Sequence, residues 1–259
     1  IALSAVVLVP IAYVVLSGFR TTGQIAAKPV AFPHPWVIRN YVNVLTSGSF
    51  WRQIGNSVIV ATIATSLVVG VSALAAYPLS RLQFRGREAI YTFFTFGLLF
   101  PVAVAALPLY LLLRQFGLLE SLLGVALPEA AFGIPITIII LRPFMRSIPV
   151  ELEDAAAMDG CGRFGFFWRI LLPLSRPALV TVIVLSVVTS WNNYILPFLV
   201  LNDPNHWTLP LGVASYSGVH SADSAGILAF TTLSMVPALL FFMAAERRIV
   251  GGLSGAVKG

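Results

Sequence analysis

Long apolar runs separated by short polar stretches set the rhythm of this chain. Runs at 1–19, 55–79, 89–113, 122–141, 178–201 and 224–245 each approach the roughly 20 apolar residues that a helix needs to cross the hydrocarbon. The two-residue alternation of a barrel strand is absent, and only helices and closed barrels satisfy their backbone groups in lipid. The pattern therefore predicts an all-α integral membrane fold with six transmembrane helices. Five of the runs carry no acidic or basic residue, whereas 122–141 carries Glu129. An ionised side chain at mid-bilayer costs roughly 2.5–3.5 kcal/mol, so its presence asks for a reason.

The longest polar interruption on one side is 149–177, between the fourth and fifth runs. Pro149 suits a helix's first turn, and Glu151, Glu153 and Asp154 follow where the positive end of the helix dipole favours acid. Gly160 can close that helix in a left-handed turn. A second, aromatic-rich helical segment is expected over 164–172, bounded by Pro173 and Pro177. Phe164, Phe166, Phe167 and Trp168 are read as anchors of this loop against the membrane helices, because an exposed aromatic cluster is an aggregation hazard. On spacing alone the stretch also fits an ordinary amphipathic loop that caps two helices.

Composition agrees with the pattern. The 259 residues are 58% hydrophobic and 10% charged, with mean hydropathy +0.91, whereas a soluble domain carries about 25% charged residues. No stretch is polar enough for a separate soluble domain, so 1–259 is read as one membrane domain. A short cytosolic extension is expected before Ile1. Gly18-Phe19-Arg20 is a poor cleavage site, so 1–19 is read as a retained span. The net charge of +6 is spread over loops, which argues for membrane orientation rather than nucleic-acid binding.

Arg81, Arg85, Arg87, Arg142, Arg146, Arg163, Arg169, Arg176, Arg247, Arg248 and Lys258 fall on one side; Arg20, Lys28, Arg39, Arg52 and Arg114 fall on the other. The richer side faces the cytosol, which places 149–177 and both termini there. The outer face then carries 20–54, 114–121 and 202–223. Trp36, Trp51 and Trp207 lie in these outer stretches, where an aromatic belt or a partner contact would place them.

Candidate chemistry is sparse. Cys161 is the single cysteine, and His34, His206 and His220 lie in outer loops without metal-ligand spacing. No catalytic residue and no metal site is assigned, and a GxxxxGK[ST] phosphate loop is absent. Energy for any work must come from a partner.

The acidic loop supplies a resemblance. Asp154-Ala155-Ala156, then Gly160, then Ile170 and Leu172-Pro173 resemble the EAA loop of ABC-importer permeases, with Asp154 where that family expects Glu and with Glu153 beside it. Asn56-Ser57, the stretch 81–86, Trp191-Asn192 and the glycine-rich tail 251–259 are similar to the carbohydrate-uptake branch, which contains the maltose-transporter G subunit. The resemblance implies that Glu153, Asp154, Ala155, Ala156, Asp159, Gly160 and Pro173 form a coupling helix and its turn. It implies a second homologous permease subunit, two ABC ATPase subunits that bind ATP and Mg, and an extracytoplasmic solute-binding protein. This chain would bind no cofactor itself and would sit in a bacterial or archaeal plasma (inner) membrane. By the same resemblance Gly255 and Lys258 would enter the ATPase interface, and Asp203 and Trp207 would reach the binding protein, although 202–223 also reads as a solvated connector.

Glu129 is a candidate for the pathway, or an interfacial residue if its helix begins near Pro128. Asn192, Asn193 and Tyr194 are expected within the fifth span, either meeting sugar hydroxyls or bonding between helices, worth about 0.6 kcal/mol each. The expected function is import of a sugar or oligosaccharide by ATP-driven alternating access. A glycerophosphodiester or polyol-like solute is the alternative cargo, and a passive channel subunit or an intramembrane enzyme is the alternative class.

Overall fold

The computed structural model describes the backbone of residues 2–216 and 223–256, and the side chains of 6–214, 216 and 223–244. All regular structure among the described residues is helical. The chain runs α1 (Ala2–Ser17), α2 (Thr22–Ala27), α3 (Arg39–Thr46), α4 (Gly48–Arg81), α5 (Arg87–Gly97), α6 (Val102–Gln115), α7 (Leu122–Ser147), α8 (Glu151–Met158), α9 (Arg163–Phe166), a π-helical turn Phe167–Leu171, α10 (Leu172–Leu174), α11 (Arg176–Trp191), α12 (Ile195–Val200), α13 (Leu209–Gly212) and α14 (Ser224–Ala256).

Three helices among the described residues are long and apolar enough to cross a membrane, within Gly48–Arg81, Leu122–Ser147 and Ser224–Ala244; the number reaches five if each of two bent pairs is one span. The expected continuous run at 89–113 is instead α5 and α6, bent by 96°. Pro101 sits at the bend with extended backbone, as expected where proline removes a ladder donor and restricts its predecessor. The run at 178–201 also differs: α11 ends at Trp191, α12 begins at Ile195, and the approach Arg163–Leu174 meets α11 at 75°. Asn192 donates from its amide to the Val188 carbonyl at 2.8 Å, so side-chain bonding competes with the helix ladder where the chain breaks. The first helix, α1, has 16 residues, about 24 Å at the α-helical rise. The second and sixth runs extend beyond 55–79 and 224–245 to Gly48–Arg81 and Ser224–Ala256.

The chain divides into two compact units, Ile1–Val58 with Leu201–Phe241, and Ile59–Val200 with Phe242–Gly259. In the first, Thr21 and Gln24 form a reciprocal cap at the start of α2, and buried Arg20 holds that helix's other end by donating to the carbonyls of Gln24, Lys28 and Pro29. Tyr41 donates to the Val15 carbonyl at 2.7 Å; burial pushes its hydroxyl above the usual phenol value, so it remains a donor. Asn56 donates to the carbonyls of Asn205 and Trp207 at 3.0 and 2.9 Å, and Leu209 N–H donates to Ser57 at 2.8 Å. These bonds fasten the 202–209 loop to the start of α4.

The second unit is built on small residues that let helices approach. A methyl group placed on Gly133 of α7 would lie 2.8 Å from Val68 of α4. Below that contact lies a core of Ala73, Ala76, Tyr77, Leu141, Met145, Ala156, Phe166, Phe167, Leu171, Ala178 and Val182.

Candidate functional site

The 149–177 stretch folds as helix, glycine turn, helix. The first turn of α8 holds Glu151, Glu153 and Asp154. Gly160 adopts φ +74°, where a side chain is strained, and Cys161 N–H closes the turn on the Ala156 carbonyl at 2.8 Å. Only Ala156 of α8 is buried; Asp154, Ala155 and Asp159 are exposed and Glu153 is half-buried. Val150, Leu152 and Met158 are also exposed, Met158 by 87%. This short helix presents acid and apolar side chains on an uncovered surface.

Its two ends are fixed to α4. Arg81 donates to the Ile148 carbonyl at 2.6 Å before the helix, and the Tyr77 hydroxyl donates to the Arg163 carbonyl at 3.2 Å after it. Phe166 and Phe167 are buried against Tyr77, the rings of Phe167 and Tyr77 lying 5.2 Å apart. Phe164 and Trp168 are exposed by 77% and 58%, which corrects the expectation that all four aromatics anchor the loop. The π-turn gives the reason: its wider turn brings Phe166, Phe167 and Leu171 onto one inward face, so Phe164 and Trp168 point outward. Pro173 lies half-buried in α10 beyond this turn.

A third tie had no sequence signal beyond its charge. Arg142 of α7 is almost fully buried; it donates to the Leu79 carbonyl at 2.9 Å and to Glu88 at 2.5 Å, and its guanidinium lies 3.9 Å from the centre of the Tyr91 ring. One side chain thus joins α4, α5 and α7. Tyr77 and Arg81 were equally silent as supports of α8.

The pathway candidates separate into two groups. Ser121 accepts from Gly124 N–H as the cap of α7, so Glu129 lies well inside the helix rather than at its start. Ser190 donates to Glu129 Oε2 at 2.5 Å, whereas Oε1 is buried with no hydrogen-bond partner. Both Glu129 and Asn193 line a cavity of about 180 Å³ between α4, α6, α7, α11 and the first residues of α12. Asn192 is exposed, and Tyr194 is exposed and stacked on Phe198; neither lines the cavity. Sequence reading missed Ser186, Thr189 and Ser190, which join Asn193 in the lining. Their spacing, with Asn193, of i, i+3, i+4 and i+7 marks one polar helix face within an apolar run.

Asp203 turns back on its own loop, accepting from Asn205 N–H and from the Asn205 amide at 2.9 and 3.0 Å. Trp207 is half-buried, while Trp36 and Trp51 are exposed. Gly255 lies in the last turns of α14; Lys258 and His220 lie outside the described residues. Among the described residues no three of His, Cys, Asp and Glu gather as a metal site.

Residues 66–254 match the family model described as binding-protein-dependent transport system inner membrane component. The chain is 37% identical over 97% of its length to the diacetylchitobiose uptake system permease protein NgcG of Streptomyces coelicolor, covering 84% of that protein. It is 30% identical over 96% of its length to the arabinooligosaccharides transport system permease protein AraQ of Halalkalibacterium halodurans, covering 91% of it. A crystal structure of a bacterial ABC transporter involved in the import of the acidic polysaccharide alginate shares the fold, with TM-score 0.82 and 21% identity over 95% of this chain and 92% of that one.

Proposed function

Because this chain belongs to the inner membrane components of binding-protein-dependent transport systems, we propose that it forms half of the translocation pathway of a sugar or oligosaccharide importer, with α8 as its coupling helix. The relatives' names supply the cargo class: diacetylchitobiose, arabinooligosaccharides and starch degradation products. The observation that carries the mechanism is the rigid mounting of α8. Exposed acid and apolar groups face outward while Arg81, Tyr77, Phe166 and Phe167 tie both ends to the helices behind. A push on α8 therefore moves the cytosolic end of α4 rather than a floppy loop.

In this reading the chain works as one transmembrane domain with six membrane crossings and both termini cytosolic. Glu153, Asp154, Ala155, Ala156, Asp159 and Gly160 meet a partner ATPase, one of two that bind ATP and Mg, and Pro173 bounds the segment that follows. Gly255 and Lys258 extend that contact from the C-terminal tail. A second, homologous permease completes the pathway. An extracytoplasmic solute-binding protein docks on the outer face, near Asp203 and Trp207. Closure of the ATPases drives α8 inward, and the pathway exchanges its inward opening for an outward one.

Purification tests the assembly. A tagged copy of this chain, extracted in mild detergent from its own cells, is expected to bring an ATPase and a different permease with it. A homo-oligomer without ATPase would instead favour a passive channel subunit.

A further inference from the structure

The cavity beside Glu129 has a chemistry of its own. Its volume of about 180 Å³ holds about six waters at liquid density, the scale of one monosaccharide ring and well short of an oligosaccharide. The two walls differ. Ser186, Thr189, Ser190 and Asn193 present one polar face of the α11–α12 segment, and Glu129 of α7 joins that face through Ser190; Val68, Phe132, Ile136 and Leu185 make the rest largely apolar. A pyranose ring is amphipathic in the same sense, with hydroxyls around its edge and C–H groups on its faces. Carboxyl and amide groups each offer two oxygens or two hydrogens in one plane, suited to adjacent hydroxyls, and an aromatic ring covers a C–H face.

Two details separate a ligand site from a merely structural hydrogen bond. Ser190 satisfies only Oε2, whereas Oε1 is buried with no partner in good geometry, and a buried acceptor without a donor is unfavourable. A ring hydroxyl or a water supplies that donor. Among the lining residues there is no Lys, Arg or His, so a carboxylate, phosphate or sulfonate on a cargo would be desolvated without a counter-charge.

We propose that this cavity is a binding site within the chain itself for one neutral sugar ring, with Glu129, Ser190 and Asn193 taking hydroxyls and Phe132 covering a C–H face. The site rests on the transport reading above and narrows its cargo. Neutral sugars pass one ring at a time, whereas uronic-acid sugars and glycerophosphodiesters are rejected by the lack of a cation.

The test uses the whole transporter in proteoliposomes, with its binding protein and ATP. Its probes are labelled diacetylchitobiose, maltotriose and arabinotriose on one side, and a diuronic acid and glycerophosphocholine on the other. Glu129→Gln and Thr189→Val are expected to lower uptake of the neutral probe per ATP hydrolysed by about tenfold, as lost hydrogen bonds to a cargo do. Stimulation of the ATPase by the loaded binding protein persists, which a general folding defect would abolish. If Glu129→Gln fails to assemble, Ser190→Ala gives the same comparison. Unchanged uptake per ATP in the assembled variants, or uptake of either anionic probe as fast as the neutral ones, overturns the site while the importer stands. Uptake of no probe at all, with no stimulated ATPase, overturns the transport reading and this site with it.

Discussion

Arg142 shows how much one side chain can hold. Its guanidinium bonds the last turn of α4, the first turn of α5 and the Tyr91 ring, yet its own side chain is only 8% exposed while its partner Glu88 is 61% exposed. The two ends of this ion pair are therefore unequal. Arg142→Ala leaves the Leu79 carbonyl without that donor and removes a cation from the face of the half-buried Tyr91 ring, for which a loss of about 2 kcal/mol is expected. Glu88→Ala removes only a solvent-exposed partner, and exposed ion pairs contribute little because water and salt screen them. Thermal unfolding of the purified chain in detergent should therefore rank Arg142→Ala well below Glu88→Ala. Equal shifts would mean that the exposed ion pair, not the carbonyl and ring contacts, holds these helices.

At the level of elements, some devices were readable and others were not. Proline and glycine announced α8 and its turn because they act locally: the acidic first turn follows the helix dipole, and Gly160 needs only its own φ. The break at Asn192 was hidden because Trp191-Asn192-Asn193-Tyr194 sits inside a run whose hydropathy never falls far enough to end a span. The 96° bend at Pro101 was hidden within an apolar run read as one span, since proline removes one ladder bond without dictating an angle. The cavity was half visible. Glu129 stood out as the one ionisable residue in an apolar run, and Asn193 was named beside it, but the serines and threonine that complete the wall are too nearly neutral in hydropathy to disturb a window average. Arg142, Tyr77 and Arg81 act across distances in sequence that local pattern cannot register.

For the whole molecule, the proposed orientation puts α8 in the cytosol and the 20–54 stretch outside, which labelling can test. Met158 on α8 and Val30 in the first outer stretch are 87% and 91% exposed, so each accepts a cysteine without disturbing a core. In a Cys161→Ser background, Met158→Cys is expected to react with a membrane-impermeant maleimide only in inside-out vesicles. Val30→Cys is expected to react only in right-side-out spheroplasts. The reverse pattern would invert the topology and remove α8 from the cytosol.

Gly160 offers the most direct measurement of whether α8 couples a partner's ATP hydrolysis to this chain. Nothing lies within 4 Å of a methyl group added there, so the side chain of Gly160→Trp leaves the backbone into open space, with a left-handed backbone cost of about 1–2 kcal/mol. Gly117 has φ +65° and equally open surroundings but belongs to the 114–121 turn, which the proposed topology puts on the outer face, so Gly117→Trp carries the same strain away from α8. ATPase activity of each assembled complex is measured with and without loaded binding protein. Gly160→Trp is expected to lose the stimulation while Gly117→Trp keeps it. Stimulation retained in Gly160→Trp, or lost equally in both, would contradict α8 as the coupling element.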